Sequence, residues 1–234
     1  MTDARDCLDH HWYRHMYSQI NNAEEFESSS SPYFDLLRSW SAAFDAYVEE
    51  NETHATVKEH EGVTLLKIKR CLAILSFQPK RSRMDSQTAL DPFAPIYSEI
   101  IALASTFVKG PPLSSLSSNK TFTMDSGVIG PLYDVAATCQ DPILRRQAIF
   151  LLKTLSRQEG AWDSDLAARV AERVAAIEEE GLGGVRSNAD VADWARIRVE
   201  PRFDLEGRRA VLKYRRLESP YGTVSKMVEE VIEW

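Results

Sequence analysis

The spacing of glycine and proline between Phe122 and Leu166, FTMDSGVIGPLYDVAATCQDPILRRQAIFLLKTLSRQEGAWDSDL, leaves few ways to fold that stretch. Gly127 and the Gly130-Pro131 pair resist a helix interior, whereas Pro is well tolerated at a first helical position, so a helix is predicted from Pro131 to about Cys139. Asp141-Pro142 restarts the chain as an aspartate N-cap followed by Pro in the first turn. In that second helix Leu144, Ala148, Leu151, Leu152 and Leu155 form one apolar stripe, with Arg145, Arg146, Gln147 and Lys153 read as lying off it. Gly160 is expected to supply a left-handed stop, and Asp163 to cap a third helix that carries Leu166, Val170, Val174 and Ile177 on one side. The framework is helix, tight turn, helix, tight turn, helix.

Upstream and downstream, periodicity continues the helical reading. Helices are predicted over residues 4–20, with Leu8, Trp12, His15 or Met16, and Gln19 or Ile20 on successive turns, and from Pro32 to about Glu50, with Phe34, Leu37, Trp40, Ala43 or Phe44, and Tyr47 or Val48 on one face. The polar stretch 27–31, ESSSS, reads as a linker between them. A long helix follows from about Thr53 to before Pro79, with Val57, Leu65, Ile68, Leu72 and Leu75 buried and Gly62 as a weak point. Another runs from about Pro92 to Val108 on Phe93, Ile96, Tyr97, Ile100, Ala104 and Phe107. Residues 110–121, GPPLSSLSSNKT, have loop composition. After Gly181, Gly183 and Gly184, one more turn is expected between Ser187 and Asp193. Strand alternation over Ile197 and Val199, and again over Val211, Lys213 and Arg215, with Asp204-Leu205-Glu206-Gly207 between, predicts an antiparallel hairpin at 195–216. The tail from Val224 to Trp234 carries Met227, Val228, Val231 and Trp234 at helical spacing, with a final strand as the alternative.

Composition narrows the function classes. A chain of 234 residues supports one sizeable core. Its formal net charge of -7 and sequence pI near 5.3 argue against a broad nucleic-acid surface, which needs a basic patch or stripe. Cys7, Cys71 and Cys139 are odd in number and far apart, which fits a reducing compartment and offers no disulfide framework. No apolar run approaches the ~18 residues of a membrane span, and charges follow Met1 where a signal peptide would be apolar. A soluble, intracellular protein is expected.

Phe122, Asp125-Ser126-Gly127-Val128-Ile129, Pro131-Leu132-Tyr133, Cys139, Asp141-Pro142, Arg145-Arg146, Ala148, Leu151-Leu152, Arg157, Glu159-Gly160 and Trp162-Asp163 together carry a resemblance. The stretch resembles the C-terminal signature block of fungal Zn(2)-Cys(6) zinc-cluster transcription factors, which lies in their all-helical regulatory region, the fungal-specific transcription factor domain. The likeness continues loosely through Trp40 and Phe44 upstream and through Ala195-Arg196 and Glu233-Trp234 downstream. It implies a regulatory tail and nuclear residence, with cytoplasmic residence as the alternative. A zinc cluster of this family needs six closely spaced cysteines, because two metal ions share thiolate ligands; none is present, so the resemblance implies the regulatory part without the DNA-reading part. The expected partners are proteins of the transcription machinery or a second copy of the chain, with no direct specific DNA binding and no membrane; a small-molecule effector is possible.

No catalytic, cofactor-binding or metal-ligating residue is assigned. Neither a phosphate-binding glycine loop, a GxSxG elbow nor an HExxH pair is present. His11 and His15 are one helical turn apart beside His10, but no third ligand has a known position. Pro79-Lys80-Arg81-Ser82-Arg83 is weighed as an import signal or phosphate contact against a solvated loop. Arg145, Arg146, Arg157 and Glu159 are read as salt bridges fixing the turn into Trp162, and Asp163/Asp165 and Glu178/Glu179/Glu180 as cap and surface charges. Cys139 is taken as a small buried apolar residue, since a helix C-terminus disfavours a thiolate. Arg196, Arg198, Arg202, Arg208, Arg209, Arg215 and Arg216 make the hairpin the most basic part, weighed as an anion or polynucleotide contact against a half-solvated ribbon.

The expected fold is therefore mainly α: an all-helical regulatory-domain bundle of about seven helices with a small C-terminal β-hairpin. It is read as a single domain over 1–234: upstream helices at 1–109, a loop at 110–121, signature helices at 122–180, the hairpin at 195–216 and a terminal segment at 224–234. The chain is expected to be a non-enzymatic regulatory and protein-interaction region. A small-molecule sensor or repurposed enzyme with a pocket in the helical fold is the alternative.

Overall fold

A computed structural model describes residues 23–51, 53–76, 93–108, 121–123, 127–160, 162–192, 195–197, 199–204, 209–217 and 225–233. The helix expected at 4–20, with His10, His11 and His15, and the basic stretch Pro79–Arg83 lie outside these residues. Six α-helices are described: α1 (Ala23–Asn51), α2 (Val57–Ser76), α3 (Ala94–Ser105), α4 (Ile129–Thr138), α5 (Pro142–Leu155) and α6 (Ser164–Glu178). The chain divides into two compact units, α1 falling in one and α2 as far as Leu75, α3 to α6 and all strands in the other.

Helix α1 runs without interruption through the serine stretch and Pro32, which the sequence suggested as linker and restart. Serine costs a helix only a few tenths to ~0.5 kcal/mol relative to alanine, so a run of it does not stop one. Proline is the costlier residue, at ~3 kcal/mol in a helix interior, and here the helix accommodates it. Further along α1, Trp40 stacks on Phe44 with ring centroids 5.0 Å apart, an i,i+4 pair on one helix face.

The second unit holds one core. Ile68 and Cys71 of α2 and Tyr97, Ile100, Ile101 and Ala104 of α3 are buried in it. From α4 come Ile129, Leu132, Tyr133, Val135 and Ala136, and from α5 Ala148, Ile149, Leu151 and Leu152. The side of α6 facing inward carries Leu166, Val170, Val174 and Ile177, as its period predicts, with Ala167, Ala168 and Ala171 between them. Each fully buried Leu, Ile or Val contributes roughly 1.5–3 kcal/mol of apolar transfer, so this set dominates stability. Val57, expected inside, is 75% exposed: it lies on the same side of α2 as Ile68 and Cys71, but residues 57–62 are exposed all round and the burial of the helix begins only at Val63.

Both aspartate caps form as expected. Asp141 Oδ1 accepts from Ile143 N–H at 2.7 Å and from Leu144 N–H at 3.1 Å. Asp163 Oδ1 accepts from Asp165 N–H at 3.0 Å and from Leu166 N–H at 3.1 Å. Two joints differ. Helix α5 stops at Ser156, which takes the left-handed conformation at φ 42°, while Gly160, at φ 56°, serves the tight turn after it. That turn lies within a small sheet missing from the expected framework, formed by β1 (Thr121–Thr123), β2 (Arg157–Glu159) and β3 (Trp162–Asp163). β1 runs parallel to β2, and β2 antiparallel to β3.

After α6, a 3₁₀ turn at Asn188–Asp190 fills the place where one more turn was expected. The hairpin appears as β4 (Val199–Asp204) and β5 (Arg209–Leu217), and the tail is a third strand, β6 (Ser225–Glu233), settling the helix-or-strand alternative. The sheet is an antiparallel meander in the order β4-β5-β6. Ala210, Leu212 and Tyr214 of β5 join the core, and Arg173 Nε of α6 meets Glu230 of β6 at 2.6 Å. The fold is thus mainly helical with a small C-terminal antiparallel sheet, three-stranded where a hairpin was expected.

Candidate functional site

Charge at the helix ends organises this scaffold, and it does so at two places. In the first, the Glu159 carboxylate closes the N-terminus of α4. Its Oε2 accepts from Gly127 N–H at 3.1 Å and Ile129 N–H at 2.9 Å, and its Oε1 lies 3.1 Å from Arg157 Nε. The first N–H groups of a helix have no partner within it, and a carboxylate there also complements the helix dipole. Val128, the N-cap residue, supplies no side-chain bond, so Glu159 does this work from β2. The cap is why α4 begins at Ile129, two residues ahead of the predicted Pro131, with Gly130 inside its first turn. Gly127 is required here: a Cβ would lie 2.2 Å from Glu159 Oε1. Trp162 then closes over the turn, its ring 5.2 Å from that of Tyr133.

In the second, Arg145 of α5 and Glu178 of α6 form a buried pair, only 4% and 3% exposed, with Nη1 donating to Oε2 at 2.7 Å. Arg145 also donates from Nε to the Ala136 carbonyl at 2.9 Å and from Nη2 to that of Ala137 at 3.4 Å, satisfying orphan carbonyls at the end of α4. Glu178 Oε1 accepts from Ile197 N–H at 2.9 Å, and Arg196 Nη1 stands 3.8 Å from Oε2. Arg196 in turn donates from Nη2 to Asn188 Oδ1 at 2.6 Å. Through this pair three helices and the segment leading into the C-terminal sheet are joined, α4 by way of Arg145 and the segment by way of Glu178. Outside it, Arg146 bonds the Val185 carbonyl and Glu179, both at 2.9 Å.

These contacts revise several sequence readings. Arg157 and Glu159 do fix the turn into Trp162, but Arg145 and Arg146 belong to a different cluster, with Glu178 and Glu179. Glu178 is an interior charge where a surface one was expected, and Arg145 lies on the buried stripe of α5. Periodicity carried the signal in both cases: Arg145 is in step with Ala148, Ile149 and Leu152, and Glu178 with Ala171 and Val174. Cys139 is fully buried, with Sγ 3.8 Å from the Asp141 carbonyl. Of the hairpin arginines, Arg196 turns in toward Glu178 and Asn188, and Arg202, Arg209 and Arg215 are exposed. The register interleaves bases with acids, setting Arg209 between Asp204 and Glu233, and Lys213 between Glu200 and Glu229. Arg198 and Arg208, and the side chain of Arg216, lie outside the described residues.

Burial displaces the titration of several groups, Asp134, Cys71 and Tyr133 among them. Burial pushes the Asp134 carboxyl of α4 up to about 7, and burial, with Glu99 alongside, raises the Cys71 thiol to about 11. Among the described residues no cluster of three or more His, Cys, Asp or Glu is arranged to hold a metal ion, and no helix is long and apolar enough to cross a membrane. The surface does offer an open groove of about 420 Å³ between α3 and α5, lined by Ile101, Ser105, Ile143, Gln147, Phe150 and Leu151 together with Arg146. Ile143 and Phe150 stand 58% and 67% exposed at its wall.

No protein-family profile and no solved structure matches the chain. Over 122 residues, 50% of its length, it is 35% identical to the aspercryptin biosynthesis cluster-specific transcription regulator atnN of Emericella nidulans, of which it covers 19%. The chain is thus similar, over half its length, to a fungal transcription regulator about five times as long as the shared stretch.

Proposed function

We propose that this chain is a regulatory and protein-interaction region of a fungal transcription regulator, acting in the nucleus by contacting proteins of the transcription machinery or a second copy of itself. The observation that carries the reading is the 35% identity over 122 residues to a cluster-specific transcription regulator. The chemistry of the chain supports it. Its charged side chains are used to hold helices together, as in the Glu159 cap and the Arg145–Glu178 pair, and apolar side chains are left outside at Ile143, Phe150, Met227 and Val231. These residues hold three cysteines, so they read no DNA through a six-cysteine cluster. Their direct DNA affinity is expected to be low at physiological salt, given a net charge of -7.

The sensor reading rests on the α3/α5 groove, whose 420 Å³ is within the range of small-molecule sites. It is the weaker of the two, because the groove is open and its one charged residue, Arg146, is already bonded to Glu179 and Val185. Tethering the chain to a heterologous DNA-binding domain upstream of a reporter separates the readings. A several-fold change in reporter output without added metabolite is expected. Output that moves only when a metabolite is supplied supports the sensor, and output that never moves refutes the proposal.

A further inference from the structure

The two edges of the C-terminal sheet are built differently. β4 is six residues long and carries Pro201, which lacks an N–H and suits an edge that takes no further strand. β6 is nine residues long, SKMVEEVIE, with no Pro or Gly and an unbroken register against β5 from Ser225 to Glu233. Among the described residues β6 pairs with β5 alone, so its other side presents a row of unpaired backbone N–H and C=O groups. An exposed edge of this length is a template for another strand, and natural sheets normally blunt it.

The side chains of β6 point to what that strand is. Met227, Glu229, Val231 and Glu233 share one face of the sheet. The glutamates nearest the middle are already answered within the chain: Glu229 by Lys213 at 2.7 Å, and Glu230, on the opposite face, by Arg173 at 2.6 Å. A basic peptide would find these charges taken. Glu233, at the end of the strand, stands opposite Arg209, and what remains around the middle is apolar: Met227 at 55% and Val231 at 53% exposure, placed symmetrically two residues either side of Glu229.

We propose that β6 pairs antiparallel with β6 of a second copy, across a two-fold axis at Glu229, to give one continuous six-stranded sheet. Because paired residues in this register share parity, groups that point outward from one strand meet groups that point outward from the other. Met227 of each copy then sits opposite Val231 of the other, which makes two apolar cross-strand pairs. At the axis the row reads lysine, glutamate, glutamate, lysine, so the like charges meet already neutralised. The contact is isologous and closes at two copies, as a two-fold interface must. The inference makes specific the second-copy contact named in the proposed function, but it is argued from the sheet edge, and its test reads self-association without any transcriptional output.

Sedimentation velocity of the full chain over a wide dilution series should show a monomer–dimer equilibrium. Replacing Met227→Lys and Val231→Lys together should weaken the dimer about tenfold or more, with the melting curve of the monomer unchanged because both residues are exposed in it. In a Cys7→Ser background, Glu229→Cys should oxidise to a covalent dimer, since opposed residues on paired strands bring their Cβ atoms to ~4.5–5.5 Å; Arg215→Cys, one strand further in, should not. A chain that stays monomeric throughout overturns the proposal, even if it captures an extended peptide. So does a dimer that survives the lysine pair, or cross-linking no better at position 229 than at position 215.

Discussion

Glu178→Ala removes the carboxylate that faces Arg145, Arg196 and the Ile197 N–H at once. Breaking a buried ion pair from one side costs about 3–5 kcal/mol, because the remaining charge stays buried without its partner. Leaving the Ile197 N–H unsatisfied adds roughly 1 kcal/mol or more. A total of about 4–6 kcal/mol is a large share of the 5–15 kcal/mol that holds a typical domain together. For a chain of this length it corresponds to a melting temperature lower by roughly 10–20 °C. Thermal unfolding followed by circular dichroism measures it directly. The companion variants sharpen the argument. Arg145→Met strands Glu178 in the same way, but the double variant Arg145→Met/Glu178→Leu removes both members of the pair and leaves Arg196 its bond to Asn188. Arg196 and the Ile197 N–H still lose the carboxylate in the double variant, as they do in Glu178→Ala, but neither member of the Arg145–Glu178 pair is left without the other. The double variant should therefore cost at least ~2 kcal/mol less than the sum of the single changes, the signature of residues coupled in one contact. Additive losses, or a Glu178→Ala protein that melts within a degree or two of the parent, would refute the claim that this pair joins the helices.

Three further outcomes follow from the same contacts. Gly127→Ala should cost roughly 2–4 kcal/mol in urea unfolding, since its Cβ, 2.2 Å from Glu159 Oε1, expels the carboxylate that caps α4; combined with Glu159→Gln it should add little more. Asp134 binds its proton more tightly folded, near pH 7, than unfolded, near ~3.9. Its penalty is therefore absent below about pH 4, grows as pH rises to about 7 and is complete above that. Because the side chain is half-buried, that penalty should be on the order of 2 kcal/mol, well under the full shift; Asp134→Asn should accordingly stabilise the chain above pH 7 and leave it unchanged near pH 4, in melts taken across that range. Ser156→Gly should stabilise by about 0.5 kcal/mol, because glycine accepts the φ of 42° at the end of α5 without strain, and a lower melting temperature for this variant would contradict the assigned cap.

What was legible in the sequence was what is local. Asp141-Pro142 and Asp163 announce their helices within four residues, and both caps form. The stripe Leu166, Val170, Val174 and Ile177 needs only its own period to be read as core. The cap of α4 left no such trace, because its carboxylate arrives from Glu159, thirty residues beyond Ile129. Strands of two and three residues such as β1, β2 and β3 are too short to show a period, and β1 finds its parallel partner only after two helices. Arg145 and Glu178 were misread for a different reason: each occupies a core position by spacing, and charge outweighed spacing in the reading. Buried charges are rare unless paired, so a lone charge on an apolar stripe is best read as a request for a partner. The tail shows both periods, with Met227, Val228 and Val231 at helical spacing and Met227, Glu229, Val231 and Glu233 alternating; pairing with β5, a contact that no local pattern encodes, decides for the strand.

The tethered reporter, read for Ser156→Gly, the parent and Glu178→Ala across a range of temperatures, tests most directly whether this folded scaffold is what acts on transcription. Output should follow the folded fraction of each variant, so that Glu178→Ala loses it roughly 10–20 °C before the parent, in step with its melting curve. If Glu178→Ala keeps parental output at temperatures where it has unfolded, regulation does not depend on the clasped helical core, and the account is contradicted.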